Sequence, residues 1–273
     1  MSTQESERRR PNPFYLAFDL LRAKLLAADQ ALGVSEAVFE HATESPQEWL
    51  ERIPEGEMPG MVADICDSSS GCVKYRPSLS WPDRGIDYLL RAVRDFRTQS
   101  YLWTIARSFE HFREFVETVE AELADSDGVC TGEGSEPSKD TGPNEDRRFD
   151  LALRRVRDAA PALVACEMTN ARKIQLQQWI RVAAAIRHAV AHNEGILRKE
   201  VYEKYRDSGL EEHFPGELEE DAGYVLKPTP KTAARAVRTF REYGVAIYKS
   251  VSEAHGFPAT LAGPDGEITT WRR

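Results

Sequence analysis

Apolar residues in the first part of the chain recur three and four positions apart, which is the pattern of helices with one buried face. The stripe over residues 13–32 predicts a helix that begins at Pro13 and ends at Gly33. A short second helix is predicted from Ser35. A third is predicted from Ser45, because an acidic residue three positions later is typical of a capping box.

The next part of the chain alternates between a broken and a regular pattern. Four prolines and a serine-rich stretch interrupt residues 54–83, which predicts a long loop with a short strand around residues 73–75. Helical stripes then cover residues 86–96 and 101–123, and the aromatic residues of these stripes are predicted to lie in the core.

The C-terminal part has the strongest helical pattern. Helices are predicted at residues 147–159, 171–192 and from 227 to about 256, with a helical turn at 201–205 and an irregular stretch at 214–225. Gly244 interrupts the last helix with a residue that weakens helix interiors. The fold class that follows is all-α: an antiparallel helical bundle with additional N-terminal helices.

An acidic segment divides these two helical parts. Residues 125–146 carry seven acidic side chains against the single Lys139, with scattered Gly, Ser and Pro and almost nothing apolar. Such a segment cannot bury enough surface to offset its ordering entropy, which predicts a disordered linker. The predicted organisation is a disordered tail at 1–12, an N-terminal helical region at 13–124, the linker at 125–146, a helical domain at 147–256 and a tail at 257–273.

Composition and charge restrict the function classes. The chain has 41% hydrophobic residues and a formal net charge of −9, which is typical of a globular protein and argues against a generally basic nucleic-acid coat. Any phosphate binding therefore has to come from a local cluster. The four cysteines show no C-x-x-C spacing, and no uncharged apolar run reaches about 18 residues. We therefore expect a cytoplasmic protein without a membrane partner, a metal site or a cofactor.

One motif in the C-terminal part combines residues with useful chemistry. The predicted helix 171–192 ends in Arg187-His188-Ala-Val-Ala-His192, followed by Asn193, Glu194 and a glycine. Histidine transfers protons near neutral pH, and the planar arginine guanidinium binds phosphate oxygens.

This motif resembles the signature of HEPN domains, in which an Arg is followed by a polar residue and, four to six residues after the Arg, by a His. The resemblance covers roughly residues 147–255 and implies a HEPN-like helical bundle. It also implies a metal-independent endoribonuclease, a possible toxin or defence effector, whose two protomers pair so that their motifs face one cleft. The implied catalytic residues are Arg187, His188 and His192, and Asn193 and Glu194 are candidates for substrate binding.

The resemblance also sets expectations for partners. RNA is the expected substrate, a second copy of the chain completes the site, and an antitoxin or regulatory protein is a possible further partner. In the family pattern a tyrosine two residues after the motif His can be modified by such a partner, but Glu194 occupies that place here.

Alternatives remain open for the same residues. His192 can act as a cation at the C-terminal end of its helix, and Arg187 can pair with Glu194 or another carboxylate. His188 and His192 lie four positions apart on one face, a spacing that can bind a metal, although the glutamate of H-E-x-x-H proteases is missing. The basic runs around Arg154 and Arg157 can line an RNA path or simply be solvated. The functional alternative to a nuclease is a non-catalytic interaction or scaffold module.

Overall fold

The computed structural model describes residues 12–52, 63–64, 74–75, 86–126, 144–170, 173–259, 261–262 and 268–269, and most of these residues are helical. The helices are α1 (Pro13–Glu44), α2 (Pro46–Arg52), α3 (Ile86–Ser126), α4 (Asn144–Ala159), α5 (Ala162–Met168), α6 (Leu176–His192), α7 (Lys199–Tyr205), α8 (Leu210–His213) and α9 (Pro230–Ala254), with a 3₁₀ turn at Arg206–Ser208. The strands are β1 (Ala63–Asp64), β2 (Lys74–Tyr75), β3 (Ile196–Leu197), β4 (Gly216–Glu219), β5 (Gly223–Leu226), β6 (Leu261–Ala262) and β7 (Ile268–Thr269). The predicted helical fold class is confirmed at this level.

The chain forms two compact units whose bounds differ from the predicted division. One unit is Ala31–Ser100, and the other consists of Met1–Gln30 together with Tyr101–Arg273. Helices α1 and α3 each contribute residues to both units. Most of the acidic segment lies outside the described residues, and only its first two and last three residues are seen, at the end of α3 and the start of α4.

Helix α9 forms the centre of the larger unit. Along α9, Gly244 faces Leu21 of α1 so closely that a Cβ at this glycine would lie 2.5 Å from the Leu21 Cδ2. Further along, Tyr248 stacks on Phe18 of α1 with ring centroids 4.6 Å apart, which shows that the two helices run antiparallel. The glycine that weakens the helical pattern in the sequence therefore allows close contact with another helix.

An aromatic core joins α9 to the other helices of this unit. Phe240 contacts Trp179 of α6 at a ring-centroid distance of 4.8 Å and Phe112 of α3 at 5.7 Å. Phe149 of α4 packs against Phe109 of α3 at 5.4 Å. All five rings are buried, which confirms the predicted core position of Phe109 and Phe112 in α3.

The smaller unit corrects two predicted breaks. Helix α1 continues through Gly33, because Leu32 and Phe39 on either side of it are both buried and the helical stripe is not interrupted. Helix α3 continues through the polar stretch at residues 97–100. Here Arg97 forms an ion pair with Glu36 of α1, with a Nη2–Oε2 distance of 2.5 Å.

One predicted core position in the smaller unit is wrong. Phe96 belongs to the apolar stripe of α3, yet 67% of it is exposed. It contacts Phe39 of α1 at a ring-centroid distance of 5.8 Å, so one edge of the ring is covered. The neighbouring Leu89 is buried as predicted.

A small sheet corrects the prediction that residues 214–225 are irregular. Strands β3, β5 and β4 form a three-stranded antiparallel sheet in that order, with Leu197 opposite Tyr224 and Leu218 opposite Tyr224 on its other side. The Tyr224 hydroxyl donates a hydrogen bond to the Phe214 carbonyl at 3.1 Å, and burial raises the pKa of Tyr224 to about 12. The predicted strand near residues 73–75 is present as β2, which pairs with β1.

Candidate functional site

The motif lies at the C-terminal end of α6, where the helix stops abruptly. The Asn193 N–H donates to the Ala189 carbonyl at 2.8 Å and ends the helical ladder. The chain then turns through two left-handed residues, Glu194 at φ 52° and Gly195 at φ 85°. Glycine adopts this conformation without steric cost, and a glutamate rarely does, so the surrounding structure has to hold the turn in place.

Two elements hold this turn. The Leu226 N–H of β5 donates to the Gly195 carbonyl at 3.1 Å, which ties the turn to the sheet. On the other side, a Cβ at Gly195 would lie 2.6 Å from the Leu102 Cδ1 of α3, so α3 packs directly against the turn. Strand β5 precedes the last helix in the sequence, and it also fixes the C-terminal end of α6.

His188 and His192 lie side by side on the exposed face of α6. Both residues are exposed, and their ring centroids are 4.7 Å apart with an interplanar angle of 51°. The prediction that these two histidines share a face is confirmed, because α6 remains helical through His192.

Arg187 lies on a different side of α6, against α3. Its Nε donates to Glu110 Oε1, and the other carboxylate oxygen of Glu110 forms an ion pair with Arg113 Nη2 at 2.7 Å. We call these residues the Arg187–Glu110–Arg113 trio. Each of the three side chains is between 21% and 30% exposed, so the trio is partly covered by protein and partly open to solvent.

The geometry of α6 separates the motif arginine from the second motif histidine. Residues five apart on a regular helix point about 140° away from each other. Because α6 is helical as far as His192, Arg187 faces α3 while His192 faces solvent. Within one chain the structure brings the rings of His188 and His192 together, and it directs the Nε of Arg187 to Glu110 of α3.

The remaining candidates occupy the turn. Asn193 is partly exposed and serves as the C-terminal cap of α6 through its backbone, while Glu194 is exposed. Arg187 pairs with Glu110 of α3. This contact between helices confirms the alternative in which Arg187 pairs with a carboxylate other than Glu194.

The trio brings two arginines to one carboxylate on an acidic protein. Arginine guanidinium groups bind phosphate oxygens. When the whole chain is negative, phosphate binding requires a local basic cluster, and the trio is a candidate for one.

Sequence reasoning missed Glu110 and Arg113. They lie about 75 positions before the motif, on the polar edge of a long helix with many other charged residues. Helical periodicity predicts that they are near the surface, but no local pattern shows which carboxylate meets Arg187.

One basic residue considered for an RNA path has another role. Arg157 donates from Nε to both oxygens of the buried Glu167, at 2.7 and 3.0 Å, and from Nη2 to the Tyr243 hydroxyl at 3.0 Å. The Tyr243 hydroxyl in turn donates to Glu167, and burial raises the pKa of this tyrosine. We call these three residues the buried cluster. Arg157 is thus part of the core, whereas Arg154 is exposed.

Two kinds of feature are absent from the described residues. Among them, no group of three or more His, Cys, Asp or Glu side chains is arranged to hold a metal ion. No helix within the described ranges combines the length and the apolar character that crossing a bilayer requires. In comparisons of the whole chain, no protein-family model, curated protein or solved structure matches it.

Proposed function

We propose that this protein is a metal-independent endoribonuclease of the HEPN type that acts as a homodimer. The observation that supports the proposal is the end of α6, where two exposed histidines adjoin an arginine held by a carboxylate of another helix. In this proposal His192 is the general acid or base, His188 assists it, and Arg187 binds the phosphate. Asn193 and Glu194 contribute substrate contacts from the turn.

The chemistry fits this set of side chains. RNA can be cleaved without a metal when its ribose 2′-hydroxyl attacks the adjacent phosphate, which requires a proton acceptor, a proton donor and a group that stabilises the negative charge. An imidazole in reach of the 2′-hydroxyl or the leaving oxygen contributes about 10²–10⁴-fold. His188 and His192 are close enough together for one to accept a proton while the other donates one.

Glu110 has a positioning role in this proposal. An arginine side chain has many rotamers, and an ion pair at Nε restricts the guanidinium. Arg113 contacts the same carboxylate, so a second guanidinium lies beside the one that would bind the phosphate.

The direction of the side chains supports the proposal of a dimer. Arg187 and His192 of one chain point about 140° apart, so they cannot both reach the same phosphate without unwinding α6. A two-fold axis close to α6 would place His192 of one protomer opposite Arg187 of the other. The fold expected for this arrangement is a HEPN-like bundle, and the expected role is that of a toxin or defence effector under the control of an antitoxin or regulatory protein.

The first experiment tests cleavage. Purified protein is incubated with total RNA in EDTA, beside His192→Ala, Arg187→Ala and the matched control Arg181→Ala, which changes an exposed arginine of the same helix. We expect cleavage by the parent and the control and at least a roughly hundredfold loss in the two motif variants. No cleavage by the parent, or equal cleavage by all four proteins, would refute the nuclease.

The second experiment tests the composite site. Arg187→Ala and His192→Ala proteins are each inactive, and we mix them under conditions that allow subunit exchange. If His192 of one chain acts with Arg187 of the other, half of the dimers regain one intact site, and activity returns to about a quarter of the parent. If both residues act within one chain, mixing restores nothing.

The second candidate function is a non-catalytic interaction or scaffold module. It is favoured by the ion pair of Arg187 with Glu110, because this contact also has a structural explanation. In that case Arg187→Ala would weaken self-association or folding in a parent that does not cleave RNA. Analytical ultracentrifugation of the same variants distinguishes this from the nuclease.

A further inference from the structure

We propose that His188 and His192 form a two-histidine binding site for a divalent first-row transition-metal ion, with the remaining coordination positions filled by water or a second copy of the chain. The two residues are separated by one turn of α6, and both are exposed. Their ring centroids lie 4.7 Å apart with an interplanar angle of 51°. This inference does not depend on the proposed nuclease, since it concerns the binding of the metal alone.

The ring separation fits two imidazoles on one ion. With a metal–nitrogen distance of about 2.0–2.1 Å, the centroids of two adjacent imidazole ligands lie roughly 4.5–5.2 Å apart for coordination angles between square and tetrahedral. The observed 4.7 Å falls within this interval. The spacing of the two rings is therefore compatible with one nitrogen of each binding a common ion.

The helix supplies the rigidity that such a site needs. Val190 and Ala189 between the two histidines are buried, which fixes the orientation of this turn against the core. The end of α6 is further held by the turn at Gly195 and its hydrogen bond from Leu226. A pair of ligands that is already in place avoids the ordering cost that weakens a flexible site.

The ligand type defines the class of ion. Neutral imidazole suits Zn²⁺, Ni²⁺ and Cu²⁺, and among these Cu²⁺ forms the most stable complexes. Two ligands on a solvent-exposed face leave open positions, so binding is weaker than in closed structural sites with four protein ligands. Protons compete for the same nitrogens, so the affinity decreases on acidification.

A bound metal would regulate the proposed reaction by occupying its histidines. An imidazole that coordinates a metal cannot accept a proton from a ribose hydroxyl. If the proposed function is correct, Zn²⁺ inhibits cleavage and EDTA restores it.

The test measures metal binding by the full chain without RNA. Cu²⁺ is followed by electron paramagnetic resonance, which detects coordinated imidazole nitrogens, and Zn²⁺ is titrated by calorimetry. We expect one ion per chain with two nitrogen ligands, and a loss of affinity of roughly tenfold or more in His188→Ala and in His192→Ala. His41→Ala is the matched control, because it removes an exposed histidine of α1 and should leave binding unchanged.

The outcomes separate this inference from the proposed function. Equal binding by the parent and both α6 variants, or spectra with fewer than two nitrogen ligands, would overturn the metal site. Metal binding that depends on both histidines in a protein that never cleaves RNA would confirm the site and refute only the nuclease. Because both histidines are exposed, the variants are expected to fold, which circular dichroism checks.

Discussion

Two arginine–glutamate pairs in the larger unit have the same chemistry and different surroundings. In the buried cluster, the side chains of Arg157 and Glu167 are 14% and 5% exposed. In the trio, the side chains of Arg187 and Glu110 are 21% and 30% exposed. The first pair joins α4 to α5, and the second joins α6 to α3.

The difference in burial assigns them different tasks. Every oxygen of Glu167 is paired with Arg157, and the hydroxyl of Tyr243 completes the cluster, so a buried charge is fully compensated. Removing one partner there leaves the other charge uncompensated in the core. Glu110 lies near the surface and divides its carboxylate between two arginines. The comparison indicates that the inner pair stabilises the packing of helices. Under the proposed function, the outer pair positions Arg187.

The largest expected effect comes from the inner pair. Glu167→Ala should lower the free energy of unfolding by about 3–5 kcal/mol, because Arg157 is left without its buried counter-charge. Urea denaturation followed by circular dichroism measures the change. Arg155→Ala is the control. Arg155 lies in the same helix as Arg157, but its side chain is 69% exposed and pairs with Glu120. If Glu167→Ala lowers the free energy of unfolding no more than the control does, the inner pair does not have the structural role inferred from its burial.

A smaller effect on stability is expected from the outer pair. Glu110→Gln should lower the free energy of unfolding by less than about 1 kcal/mol, because solvent screens a pair that is this exposed. Under the proposed function the same change reduces kcat by up to roughly tenfold while KM changes less, because Arg187 is no longer held in position.

The control for this change lies one turn further along α3. Glu114→Gln removes an exposed carboxylate that pairs with Lys24 at 2.5 Å and should leave cleavage unchanged. Equal effects of the two substitutions on cleavage would show that Glu110 has no positioning role. A large loss of stability in Glu110→Gln would instead make the outer pair structural.

The smallest expected effect is a decrease in the free energy of unfolding at acidic pH. It involves neither of the two ion pairs. Burial, with a smaller contribution from Arg235, lowers the pKa of His213 against the opposing effect of Glu212, and its buried Nδ1 has no hydrogen-bond partner among the described residues. The unfolded chain therefore binds a proton that the folded chain resists, and stability decreases as the pH falls below about 6.5.

Denaturation midpoints between about pH 7 and pH 5 test this assignment. In His213→Gln the decrease over this interval should be shallower, and His111, whose pKa burial also lowers, should account for part of what remains. An unchanged slope would show that groups other than His213 cause the loss of stability at acidic pH.

Most helices could be predicted because their signal is local. The stripes of α4, α6 and α9 identify these helices to within a few residues, and the capping threonine of α9 accepts a hydrogen bond from the Thr232 N–H at 3.2 Å. The predicted breaks in α1 and α3 are wrong because a single glycine or a polar turn costs a helix only about 1 kcal/mol, which burial of the flanking residues outweighs.

The small sheet could not be predicted in the same way. Strands β3 and β5 are two and four residues long, and β4 is largely exposed, so neither alternation nor an apolar run identifies them. Their stability comes from pairing between segments that lie about 28 residues apart, together with the stacking of Tyr202 on Tyr224 at 4.9 Å.

The sequence by itself determined the helical class of the fold, the position of the motif at the end of a helix and the shared face of His188 and His192. These properties depend on residues within a few turns of one another, and helical geometry relates them directly. Only the tertiary structure decided that Arg187 meets Glu110, that Arg157 lies in the core and that Gly195 is held between α3 and β5. Such contacts join residues that are distant in the chain, and the partner of a charged side chain is set by which helices pack together rather than by its neighbours in sequence.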